Sequence, residues 1–331
     1  MNNKINVSRE ALLKSVTTLV CCTAISTLTV SCADVCIAPQ SVFAERISLS
    51  ELPYPDWGKP KLASYEEILD RENKGSKKTE LFIFEENPKI YVLDFGSYSG
   101  GERGLEHQDK VTNRLSIYVE KKDAPKDRVL GDSELEQFII NTGRDSETFS
   151  LGHDFRACDL ARFFTQCQKQ GIGNEEELKL RSVLVENRFI KRNKSEVYEA
   201  ISDKALITFS EEQIDNPSTK QYDGVFLWRR RVTLSHELGH GEYFTNENYR
   251  KYSKNFWNEK MNESDRKAFL KMLNKMGYDS ENKDLIINEM QAGLVHTPFS
   301  WFSRSIDMHL ERLEELKKEF LTESPVGSFF R

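Results

Sequence analysis

His236 and His240 enclose Glu237, Leu238 and Gly239, and this five-residue stretch constrains the chain more than any other part of it. Residues i and i+4 lie on one face, a turn apart, in an α-helix, so imidazoles at that spacing close on a single ion when the segment is helical. Imidazole nitrogens bind Zn²⁺ at about 2.0–2.1 Å, and an acid between the two histidines flanks the ion's open position. Leu227, Leu234 and Leu238 add an apolar stripe, and Gly239 permits a close neighbour beside the histidines. The spacing predicts a long helix over 225–244, introduced by the turn signal Asp223-Gly224.

A catalytic zinc takes a third protein ligand and keeps one position open. The metzincin continuation of the motif is missing, because Tyr243 and Asn246 occupy its glycine and third-histidine positions. Glu289 is the best candidate, since it sits in the apolar run from Leu285 to His296, where an acid is costly unless paired or bound to a metal. Ala292 and Gly293, one turn on, are expected to let this helix approach the histidine helix, which gives a packing reason for a glycine that otherwise costs about 1 kcal/mol. Asp279 and Asp284 are the rivals, although both lie near turn or helix-start positions where Asp is common.

The His236-Glu237-x-x-His240 helix with a downstream glutamate resembles the gluzincin group of zincin metalloproteases, and Asn288-Glu289-x-x-Ala292 is similar to that group's second motif. The resemblance spans 225–296 and implies a zincin-like core with a small β-sheet, His236, His240 and Glu289 as Zn²⁺ ligands, and Glu237 as general base. The activity it implies is a zinc-dependent peptidase acting on a protein, a peptide or a cell-wall peptide. A donor to the tetrahedral oxyanion is also needed. Tyr243, Tyr249, Tyr278 and His296 compete for that role, and each taken singly also reads as a structural tyrosine or a capping histidine. His296, seven residues after Glu289, is expected on the same helix face and close enough to line the cleft. Arg229, Arg230 and Arg231 are candidate contacts to a substrate carboxylate, the other reading being an acid-paired or solvated face. The competing function is a secreted binding protein with an inactive or structural zincin-like core. Glu237 weighs against it, since closed structural zinc sites usually carry four ligands and need no such acid.

Composition narrows the partners. The 331 residues hold 47 Lys and Arg against 53 Asp and Glu, a net charge of −6, which argues against a nucleic-acid partner. Residues 1–44 read as a signal peptide: Lys4, Arg9 and Lys14 precede an uncharged run from Val16 to Val30, and Val42-Phe43-Ala44 offers small residues at the cleavage positions. Export to the periplasm or medium follows, with no stable membrane span after cleavage; a lipid anchor at Cys32 is the lesser alternative. Four of the six cysteines fall in this leader, leaving Cys158 and Cys167, which read as buried free thiols on opposite faces of one helix.

The mature chain reads as α+β and predominantly helical. Strands are expected over 79–84, 89–95 and 205–209, and a glycine-rich connecting loop over 96–104. Helices are expected over 105–120, 133–141, 154–168, 175–186, 263–276, 284–296 and 305–321. Within this scheme His153 is a loop residue and Asp154 a helix cap. The charged stretch 121–132, with Pro125, marks a candidate boundary between an N-terminal α/β region, 45–130, and a helical region, 131–331, unless the two are one domain.

Overall fold

The computed structural model describes residues 57, 59–70, 78–96, 104–144, 149–210, 227–303 and 305–329. The signal peptide expected over 1–44, its Cys32 alternative and most of the expected glycine-rich loop lie outside the described residues.

Strand β3, Ile90–Phe95, shows why the sheet is where it is. Every residue of it is buried, with Tyr91, Leu93 and Phe95 in one apolar cluster and Ile90 and Val92 in another. A strand apolar on both faces belongs in the middle of a sheet covered on both sides. Around it lie β1 (Lys61–Ala63), β2 (Glu80–Phe84), β4 (Gly152–Arg156) and β7 (Ala205–Ser210), in the order β1-β2-β3-β7-β4. The β1–β2 and β3–β7 pairs are parallel, whereas β2–β3 and β7–β4 are antiparallel. A separate hairpin joins β5 (Ile190–Arg192) to β6 (Tyr198–Ala200).

Helices α2 (Gly104–Glu120), α4 (Ala157–Gln170) and α5 (Glu175–Glu186) cover one face of the sheet, through Val111, Leu115, Leu160, Phe163 and Leu180. The other face carries α1 (Tyr65–Leu69) and α6 (Leu227–Thr245), the latter through Leu234 and Leu238. Asp94 lies on that face of β3 and accepts a fork from the fully buried Arg230 of α6, one arm of it at 3.0 Å. Helix α3 (Asp132–Asn141) packs in a small cluster of its own with Ile117 and Phe149. Beyond α6, α7 (Glu247–Asn255), α8 (Glu263–Lys275), α9 (Lys283–Gln291), α10 (Phe299–Phe302) and α11 (Leu310–Glu323) form a second core around Tyr249, Phe269, Met290, Leu313 and Phe320. Asparagines begin several of these helices: Asn262 starts α8 with a capping box to Asp265, and Asn282 accepts from the Leu285 amide at the start of α9.

The chain is thus α+β and mainly helical, with one small mixed sheet. Residues 46–331 form one compact unit, and the sheet draws strands from both sides of residue 130. Three local expectations need correction. Residues 152–156 form a strand, so α4 starts at Ala157 and neither His153 in a loop nor Asp154 as a cap holds. Cys158 is exposed; only Cys167 of the pair is buried. The helix expected over 284–296 ends at Gln291 and continues as a π-type turn, Ala292–His296. Among the described residues no helix is long and apolar enough to cross a membrane.

Candidate metal centre

Alternation along β4 and the pitch of α6 together create the site. Phe155 enters the core under α4, so Gly152 and Asp154, on the opposite face, look onto α6. Helix α6 presents His236, Glu237 and His240 to the same space, and α9 crosses it with Glu289. Two glycines permit this closeness. A β-carbon on Gly152 would stand 2.4 Å from Glu237 Oε1, and one on Gly239 would stand 2.4 Å from His296 Cδ2. Gly293, by contrast, meets nothing within 4 Å of an added β-carbon and borders the cavity, so the expected helix-packing role falls to Gly239.

The two imidazoles converge, with their Nε2 atoms 3.0 Å apart, and Glu289 Oε2 lies 3.9 Å from His240 Nε2. One ligand atom from each of His236, His240 and Glu289 falls within 4.8 Å of the others. Metal bonds of about 2 Å confine ligand atoms to a shell of this size. The surroundings fix the rings. Thr297 Oγ1 donates to the Ala292 carbonyl at 3.4 Å and so accepts from His236 Nδ1 at 2.7 Å, which turns the lone pair of Nε2 toward the centre. His240 Nδ1 faces Asp154 Oδ2 at 3.9 Å, and the Asn288 amide holds that carboxylate at 3.2 Å. Asp154, Glu237 and His240 also form a compact group that shares His240 with the first.

Electrostatics favour a cation here. Burial, and then the neighbouring His240, hold the His236 imidazole neutral, as a ligand must be. Burial also pushes Glu237 well above the usual carboxylate range, with Asp154, Glu289 and Glu120 adding to the effect. Glu289 is pushed up to about 7 by burial, partly offset by His240, and Glu120 to about 8 by burial, partly offset by Lys121. Four buried acids crowd one centre, and Glu237 Oε2 has no hydrogen-bond partner among the described residues. Two imidazoles, one carboxylate and an orphaned acid beside them fit a divalent ion with an open position.

The centre opens into a cavity of about 280 Å³, bordered by Tyr278, Met272, Phe149, Lys121 and Arg144 among others. Hollows of about 730 and 680 Å³ elsewhere are larger, but neither carries a metal-ligating group among the described residues.

The other sequence candidates divide. Tyr278 borders the cavity alongside Glu289. Tyr243 points away, donating to Asp284 at 2.9 Å, which removes both Tyr243 and the rival ligand Asp284 from the centre. His296 is fully buried behind α6 rather than on the cleft. Its Nε2 donates to Tyr249 Oη at 3.2 Å, because Tyr249 spends its own proton on Gln291 Oε1 at 2.6 Å. Its Nδ1 accepts the Phe329 amide at 3.3 Å, and the Phe329 ring stacks on it at 5.1 Å between centroids. Burial drops His296 to about 3, so it stays neutral. Arg229 does not border the cavity, Arg230 is committed to Asp94, and Arg231 pairs with Glu66 at 3.6 Å.

Sequence reasoning missed Glu120, Lys121, Asp154 and Thr297. Comparison with protein-family models, with curated proteins and with solved structures finds no match.

Proposed function

We propose that the chain is an exported zinc-dependent hydrolase, a peptidase of gluzincin-like design, with His236, His240 and Glu289 holding Zn²⁺ and Glu237 serving as general base. The carrying observation is the conjunction of three ligand atoms within 4.8 Å and the buried Glu237 Oε2, unpartnered among the described residues, on the same cavity wall. A bound Zn²⁺ at this ligand set supplies a Lewis acid and lowers the pKa of water toward 7. The chain's own groups account for the rest. Glu237 is held beside the ligand histidines by its helix and by the space over Gly152, where it can take a proton and pass it to a leaving amine. Of the candidate oxyanion donors Tyr243, Tyr249, Tyr278 and His296, Tyr278 is the one that borders the cavity.

Peptide is favoured over other acyl substrates by β4. It pairs only with β7 among the described residues and is therefore an edge, along which an extended chain can add backbone hydrogen bonds beside Gly152 and Asp154. The test is metal analysis of the purified protein followed by a peptide-library assay with Glu237→Gln as control. Stoichiometric zinc with cleavage that disappears in the variant supports the reading. Unchanged cleavage in the variant, or no zinc at all, defeats it.

A further inference from the structure

The cavity beyond the metal centre holds two cations that the hydrolytic reading leaves unused. Lys121 follows Glu120 at the end of α2, where its backbone is pinned to the segment after α8: it bridges Tyr278, the Asp279 amide donates to the Glu120 carbonyl at 3.3 Å, and the Lys122 amide donates to the Gly277 carbonyl at 3.3 Å. The Lys121 ammonium stands 4.3 Å from the centre of the Tyr278 ring and 5.5 Å from that of Phe149. Its nearest carboxylate, Glu120, is 3.8 Å away, too far for a hydrogen bond, and it has no hydrogen-bond acceptor among the described residues. Arg144 reaches the same wall from the other side, donating to the Phe149 carbonyl at 2.7 Å.

We propose that the cavity selects peptides by their free C-terminal carboxylate, received by Lys121 and Arg144 one or two residues beyond the bond that is cut. The inference rests on the peptidase reading above. Three observations give the ligand its chemistry. The donors are cationic, and their positions are fixed by backbone pairing and by Phe149. Phe149, Leu151, Val232, Met272, Leu273 and Met276 make the remaining wall apolar, which fits an apolar terminal side chain better than an acidic one. The volume of about 280 Å³ has room for one or two residues. Lys121, Tyr278 and Glu289 border the same cavity, and an extended chain advances about 3.3 Å per residue, so a terminus held at Lys121 leaves a bond one or two residues back to face the centre. The acids on the same wall are offset by the divalent ion and by Lys121 itself.

The experiment uses the zinc-loaded full mature chain and matched peptides with a blocked N-terminus, ending in a free acid, in an amide, or in an amide with Asp or Glu as the last residue. The expected result is kcat/KM about 10- to 100-fold higher for the free acid than for the amide, carried by KM, as suits charge-assisted hydrogen bonds. Lys121→Met is expected to collapse that acid-to-amide ratio, and Lys121→Arg to restore part of it. Arg144→Gln, at an exposed position where folding is not at stake, should lower it independently. Equal rates for acid and amide overturn the inference and leave the peptidase reading standing. A preference that follows the Asp or Glu side chain instead overturns the chain-end assignment. No cleavage of any peptide by the zinc-loaded protein overturns the underlying reading and the inference with it.

Discussion

The α-carbon of Gly152 lies against the carboxylate of Glu237, so close that a β-carbon would stand 2.4 Å from Oε1 and 2.7 Å from Cδ. An edge strand and the histidine helix meet here without a side chain between them. Gly152→Ala is therefore expected to push Glu237 aside while sparing the ligands. It should keep its zinc and lose turnover by about 10²- to 10⁴-fold, the range of general-base assistance. Paired metal analysis and steady-state rates decide it, and an unimpaired kcat would remove Glu237 from that role.

Glu237→Gln, His240→Ala and Glu289→Ala separate base from ligand. The first keeps fold and metal but not hydrolysis, because Glu237 stands beside the open position rather than among the three ligand atoms of His236, His240 and Glu289. The other two lose both, because each deletes one of those ligands. Zinc retention in Glu289→Ala at wild-type affinity would return the third-ligand question to Asp154.

Thr297→Val should weaken zinc affinity by about 10- to 100-fold with little change in fold, since the hydroxyl fixes the His236 ring without touching the ion's position. Competition with a chelating dye reads this directly. The same affinity in the variant would show that Ala292 alone orients the ring.

The metal-free protein should lose stability as pH rises through neutrality. Glu120 and Glu289 are raised by burial to about 8 and about 7, against an ordinary value of 4.5. A carboxyl whose folded pKa lies above its unfolded one binds more protons folded than unfolded between the two values. Its stabilising share is whole below about 4.5 and is lost as pH climbs to about 8, while the buried neutral His153, His236 and His296 act in the opposite sense up to their ordinary value of 6.5, so urea midpoints of the chelated protein should fall between about 6.5 and 8. Zinc should flatten the slope. A midpoint that climbs with pH over that window in the chelated protein contradicts the picture.

Arg230→Met should cost about 3–5 kcal/mol, because it removes the guanidinium that balances the charge of the fully buried Asp94. Denaturant titration measures it, and adding Asp94→Asn should recover part of the loss. A cost below about 1 kcal/mol would mean that water reaches the carboxylate.

Helix α6 and its pair of histidines were legible because a spacing of four has one helical meaning, and Glu289 because an acid in an apolar run needs a reason. Strand β4 was not. Its buried His153 and Asp154 are polar for the sake of the site, which erases the apolar alternation that announces a strand, and Gly152-His153-Asp154 then reads as a loop and a cap. His296 was misplaced for another reason: the π-type turn Ala292–His296 winds more residues per turn than an α-helix, so counting seven from Glu289 no longer returns to the same face. Glu120 and Lys121 come to the centre only through the pairing of 120–122 with 277–279, a contact between distant segments with no local signature.

The Phe329 ring joins three parts of the molecule, stacking on His296 at 5.1 Å and on Tyr65 at 6.5 Å and meeting Phe84 edge-on at 5.8 Å. His296 is followed directly by Thr297, the hydroxyl that steadies a metal ligand. Fraying of this tail is thus not a local event: amide exchange at Phe329 should keep time with exchange in the turn Ala292–His296, making the C-terminal segment a clock for how long the His236 ring holds its aim.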